Sequence, residues 1–236
     1  ALPLLHQRWP QASQSLARSA DHLGEALSLL NELAADDLAL AGQGAPSAWP
    51  GLDSLALEAL KALSPARQRN ALQYWLSTRT RLPDSRHWVG WEALRDAADD
   101  AHPIWRLADG QLQRSHGRIW WLSGDWLAAP SGEHALPDHG RPLELPGNGR
   151  VRLCGTLPQA ALRIAYRQGG ERLALPGRGH RDLKRLLNEH QVPHFIRPRL
   201  PLLWQGERLL AVANLPQLAQ GDCTLEWQIP SNAQGL

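Results

Sequence analysis

An α+β architecture in two parts is what this sequence predicts, and three observations predict it. Apolar residues recur at helical spacing between Gln11 and Ala41, the period switches to strand-like alternation after Pro103, and the C-terminal third mixes short apolar runs with one amphipathic helix. The expected arrangement is a mostly helical N-terminal domain with a small antiparallel hairpin, followed by a small α/β module of mostly antiparallel strands. The boundaries read as 1–123, a Pro/Gly-rich linker 124–148, and 149–236.

In the first part, Leu16, Ala20, Leu23, Leu27, Leu30 and Ala34 fall on one face of a helix that Gly42 ends. "GQGAPSAWPG" is a loop, and a short helix is expected over Ser54–Leu63. Ser64 before Pro65 is an N-cap followed by a proline suited to the first helical position, so a third helix starts there. A fourth begins near Ser85 and places Trp88, Trp91 and Leu94 on one face. "IWRLADGQLQRSHGRIWWLS" then alternates, with Asp109-Gly110 and His116-Gly117 as turn signals.

In the second part, strands are expected at Arg150–Cys154, Leu162–Arg167, Pro201–Trp204, Arg208–Ala213 and Cys223–Ile229, with a helix over His180–Glu189. "WQGER" is a tight connection, which makes the pairing antiparallel. On the helix, Leu183, Leu186 and Leu187 form the buried face and leave Arg181, Lys184 and Arg185 outside. Gly177 and Gly179 precede it and fit either a phosphate-binding helix start or a plain glycine turn.

The net charge of +2 hides an asymmetry, because twelve Lys or Arg stand against four acids between Arg150 and Leu215. A basic face of that density suits a polyanion; the alternative is a solvated basic surface. Eleven Trp against one Phe suggest base stacking, but Trp88, Trp91, Trp105, Trp120 and Trp121 occupy positions that suit packing better.

Several function classes find no support. No GxxxxGK[ST], GxGxxG or GxSxG stretch occurs. Pro193 interrupts His190 and His194, and Cys154 and Cys223 belong to no CxxC pair, so neither a zinc site nor a disulfide framework is expected. No run of about 18 uncharged apolar residues predicts a membrane span, and "ALPLLHQRWP" lacks the pattern of a secretory signal. A soluble, cytoplasmic location is expected. A start at Ala1 without any Met points to a piece of something longer.

"RQGGERLALPGRGHRDLKRLLNEHQVPHFIRPRLPLLWQGERLLAVANL" (Arg167–Leu215) resembles the C-terminal signature of the tRNA(Ile)-lysidine synthetase family. "PLLHQRWPQASQSLARSADHLGEALSLLNELAADDL" (Pro3–Leu38) is similar to that family's first helix after its catalytic domain. The resemblance implies a tRNA-recognition portion, without catalytic residues or cofactor of its own. The SGGxDS motif of the family's N-terminal ATP-binding domain does not occur here. In the whole enzyme, ATP, with Mg, activates the wobble cytidine of the CAU anticodon of tRNA(Ile) and lysine displaces AMP; a homodimer is compatible with it. Arg167, Arg172, Arg178, Arg181, Lys184, Arg185, Arg197 and Arg199 are the implied tRNA contacts. The alternative is a non-catalytic interaction or scaffold module, resembling a domain of the β-subunit of phenylalanyl-tRNA synthetase.

Overall fold

The computed structural model describes residues 8–46, 49–98, 101–136, 140–155, 161–175, 177 and 179–232. The chain is α+β. Helix α1 covers Ala12–Ala41, thirty residues and so about 45 Å of rise. Only Ala34, Asp37 and Ala41 on it are buried; Leu16, Leu23, Leu27 and Leu30 of the apolar stripe lie in the open. Its C-terminal end packs Leu38 and Ala41 on the first core and is tied down further by side-chain bonds. Arg67 reaches the buried Asp37 carboxylate at 2.5 Å, and Asn70 donates to the Leu30 carbonyl at 2.7 Å.

The expected helix over Ser54–Leu63 divides in two. Ser54–Ala56 is strand β1, paired antiparallel with Arg118–Ser123 (β4), and Leu57–Lys61 is α2. Local spacing favoured helix throughout, but a distant strand supplies the backbone partners for the first three residues, and tertiary pairing overrides propensity. Pro65–Ser77 (α3) starts where the sequence reading places it, with Ser64 Oγ accepting from Arg67 N at 3.4 Å. Val89–Asp96 is α4, starting later than expected, and it buries Trp91 and Leu94.

Ile104–Arg106 (β2), Gly110–Ser115 (β3) and β4 complete a sheet of order β1-β4-β3-β2. His116 and Gly117 turn β3 into β4 with φ of 49° and 70°, both positive as a type I′ hairpin requires. β4 is buried on both faces. Ile119 and Trp121 enter a core with Leu57, Leu60, Leu72, Leu76 and Trp91, whereas Trp120 and Leu122 enter a second core with the C-terminal residues. Period-two alternation makes this possible, and the unbroken run "IWWL" is its trace in the sequence. Fully burying each such side chain contributes about 1.5–3 kcal/mol.

The Pro/Gly-rich stretch 124–148 is not bare linker chain. A 3-10 turn over Gly124–Leu127 drops Trp126 into the second core, where its Nε1 donates to the Pro230 carbonyl at 2.9 Å. Glu133–Leu136 (β5) pairs with Leu162–Ala165 (β8), and Leu143–Glu144 (β6) pairs with Arg150–Cys154 (β7). The sequence signal is weak because the buried apolar anchors, Trp126, Leu136 and Leu145, are far apart and follow no period, and the pairing edge comes from other strands.

Arg172–Leu175 (β9) and Gly179–Asp182 (β10) form a hairpin ahead of Leu183–Glu189 (α5). Leu202–Gln205 (β11), Arg208–Val212 (β12) and Thr224–Gln228 (β13) finish two antiparallel sheets, of order β12-β11-β8-β5 and β13-β7-β6. Among the described residues, no helix is long and apolar enough to cross a membrane.

Candidate nucleic-acid interface

The "RQGGE" turn builds the base of the surface. Gly169 and Gly170 hold φ of 102° and 82°, and the Glu171 carboxylate accepts from the backbone N–H groups of Gln168 and Gly169 at 2.5 and 2.6 Å. The Glu171 carbonyl accepts from Leu183 N at 2.9 Å, which fixes the start of α5 against the turn. Arg167 Nε lies 3.3 Å from the other Glu171 oxygen and is mostly shielded. Arg167 therefore braces the turn rather than projecting from it.

Helix α5 begins at Leu183, not near His180, so Arg181 belongs to β10. The Asp182 side chain caps the helix by accepting from Arg185 N at 3.2 Å. That carboxylate occupies the place an anion would take, and it removes the reading of Gly177 and Gly179 as the lip of a helix-start phosphate site. The two glycines, at φ of 70° and 65°, serve the β9–β10 hairpin instead. An aspartate directly before the first buried leucine was the available signal.

Arg172, Arg181, Lys184 and Arg185 are all exposed on this hairpin and helix. Among the described residues, the first three have no ion-pair partner; Arg185 meets only the partly exposed Glu189, at 3.1 Å. Arg178 lies outside the described residues. Arg199 is the clear departure from expectation. It is 2% exposed, donates to the carbonyls of Asp125 and Ala128, and lies 4.4 Å over the Trp126 ring. Burial pushes its guanidinium below its ordinary pKa. It clamps the 3-10 turn after β4 and is unavailable to a phosphate.

Arg197 stands between these extremes, half-buried, with Nε donating to the Val192 carbonyl at 2.9 Å and Nη1 to Asn188 Oδ1 at 2.6 Å. It lines a cleft of about 440 Å³ together with His102, Arg114, His116, Asn188 and His194. The His102 and His194 rings stack at 4.0 Å, and His194 Nε2 sits 2.8 Å from Gln113 Oε1, so that nitrogen carries the proton and donates. Burial first, then the facing His102, Arg197 and His116, hold the His194 pKa down to about 4. His116 is lowered too, chiefly by burial. His102, His116 and Asn188 were not identified from the sequence, because spacings of 14 to 86 residues carry no local signature. Among the described residues, no group of three His, Cys, Asp or Glu side chains could hold a metal ion.

Two antiparallel-rich modules joined by a shared strand, with a cationic hairpin and helix on the second, have the form of a binding surface, with no catalytic constellation apparent among the described residues. Residues 55–120 match the TilS substrate binding domain and residues 162–231 the TilS substrate C-terminal domain. A tRNA(Ile)-lysidine synthase of Pseudomonas putida is 74% identical over all of this chain and 55% of its own length. Those of Pseudomonas aeruginosa and Coxiella burnetii are 55% and 33% identical, over 100% and 89% of this chain and 54% and 48% of their own lengths. The chain belongs to the tRNA(Ile)-lysidine synthase family. It spans about half the length of the curated relatives it matches. A crystal structure of a TilS C-terminal domain covers 43% of this chain and all of its own, at 21% identity and a TM-score of 0.33.

Proposed function

We propose that this chain is the tRNA-recognition portion of a tRNA(Ile)-lysidine synthase, an ATP-dependent ligase that converts the wobble cytidine of the CAU anticodon of tRNA(Ile) to lysidine in the cytoplasm. Residues 1–123 act as the substrate-recognition domain and 149–236 as the tRNA-binding domain, with 124–148 packed against the latter. ATP, magnesium and lysine are assigned to the part of the longer relatives that this chain does not span. The observation that carries the reading is the group of exposed cations on β9, β10 and α5, where Arg172, Arg181 and Lys184 form no ion pair among the described residues. Contacts of this kind set register and orientation on a nucleic acid without reading its bases.

The test is tRNA binding by the chain against salt. Replacing Arg181, Lys184 and Arg185 by Ala should leave the circular dichroism unchanged and weaken binding, with the slope of log K against log salt falling by up to about 2–3 units. Unchanged affinity and slope in the folded triple variant would refute the reading. A flat salt response of the unmodified chain would point instead to a scaffold.

A further inference from the structure

A cleft lies between β3–β4 and the end of α5. Its walls come from both matched domains: Arg114, Ser115, His116 and Gly117 from the first, and Asn188, His194 and Arg197 from the second. His102 closes one side by stacking on His194. Five of the lining side chains are cationic or can become so, and no lining residue is acidic. Arg114 and Arg197 bring two standing positive charges to one concavity with no carboxylate in its lining, which favours entry of an anion.

Neighbouring basic groups are not of this kind. The larger cleft, about 920 Å³, holds Arg152, but that residue is paired with Glu226 at 2.8 Å, and Arg150 there donates to Gln228. Inside the smaller cleft Arg114 is already engaged by the Arg95 and Ala97 carbonyls. Arg197 is held in place by Val192 and Asn188, while its Nη2 has no acceptor among the described residues. Its guanidinium is thus oriented in advance and still has a donor to offer. A volume of about 440 Å³ is in the range of small-ligand sites and accommodates one nucleotide unit.

We propose that this interdomain cleft seats one backbone phosphate of the bound RNA, with the Arg197 guanidinium as its cationic contact and the His116 and His102 rings beside it, so that the nucleic acid bridges the two domains. The proposal rests on the tRNA-binding reading above but concerns a site distinct from the exposed hairpin cations. One phosphate here ties β4's module to α5's, so RNA binding stiffens the seam as well as adding affinity.

Asn188→Asp is the decisive variant. It keeps the contact to Arg197 as an ion pair, so the fold is retained, and it puts a negative charge where the phosphate would lie. tRNA affinity of the chain should fall about tenfold, and His116→Asn, which suits the positive φ of that turn, should lower it several-fold. Gln217→Glu, an equal change in net charge outside the cleft, should bind as the unmodified chain does. Imidazole NMR signals of His102, His116 and His194 should shift with inorganic phosphate and with tRNA. If the unmodified chain binds tRNA and Asn188→Asp binds it equally well, the cleft proposal falls while the hairpin reading stands. Loss in Asn188→Asp matched by Gln217→Glu would reduce it to general charge and overturn it. If the chain binds no tRNA, both readings fail, even should phosphate alone move the signals.

Discussion

Arg118 in the first module and Arg181 in the second are the same residue type in opposite employment. Arg118 is buried, with Nε on Ser54 Oγ at 2.9 Å, Nη1 on the Gln43 carbonyl at 2.9 Å and Nη2 on the Ser54 carbonyl at 3.1 Å. It ties β1 to β4 and to the chain leaving α1. Arg181 is exposed on β10 and has no ion-pair partner among the described residues. The contrast extends outward: Arg67 lies on Asp37, Arg79 on Asp53 and the Trp75 ring, and Arg95 on Asp96. These four arginines of the helical module are tied into its fold, whereas Arg172, Arg181 and Lys184 of the C-terminal hairpin and helix form no ion pair among the described residues. A count of basic residues cannot separate the two uses; the acceptors around each guanidinium can.

The strongest way to break this comparison is Arg118→Ala. It leaves buried acceptors without a donor and should cost about 3 kcal/mol in urea unfolding, while Arg181→Ala should stay within about 0.5 kcal/mol. Equal losses would dissolve the distinction. Arg199→Ala tests the same point within the C-terminal module. Losing two carbonyl contacts and the Trp126 stack should cost about 2 kcal/mol without altering the salt slope of tRNA binding.

A pH series sharpens the picture at the seam between the modules. His194 has a folded pKa of about 4 against an ordinary 6.5, so the folded state binds fewer protons than the unfolded chain across that interval. Its contribution is therefore complete above about pH 6.5 and is lost as pH falls toward 4, with solvent screening reducing it to on the order of 1–2 kcal/mol. His194→Gln should flatten unfolding free energy against pH in that window. An identical slope in the variant would show that burial, together with facing His102, Arg197 and His116, imposes no penalty there.

The smallest effect is expected on α1. Leu23 is 71% exposed and Leu27 59%, so changing either to Gln should move the unfolding midpoint hardly at all, by less than about 0.5 kcal/mol. Leu60→Ala, at a fully buried position on α2, should cost about 2–5 kcal/mol. A large loss at Leu23 would mean that the stripe is packed in solution.

What the sequence determined by itself is whatever rests on neighbours in the chain. α1 follows from its spacing, the start of α3 from Ser64-Pro65, the hairpin at His116-Gly117 from its turn residues, and the basic character of the second module from its composition. Buried tryptophans were legible as well, since Trp88, Trp91 and Trp121 recur at core-facing positions. Tertiary structure alone decided which strand β1 would pair with, that β4 would serve two cores, and that 133–136 and 143–144 would join the C-terminal sheets. It alone separated Arg199, drawn inside by distant carbonyls, from Arg181, left outside, and it gathered His102, His116, Asn188 and Arg197 around one cleft. The reason is physical: helix periodicity and turn chemistry are set within a few residues, but a strand's hydrogen-bond partner and a guanidinium's acceptor come from segments tens of residues away, and no local pattern records them.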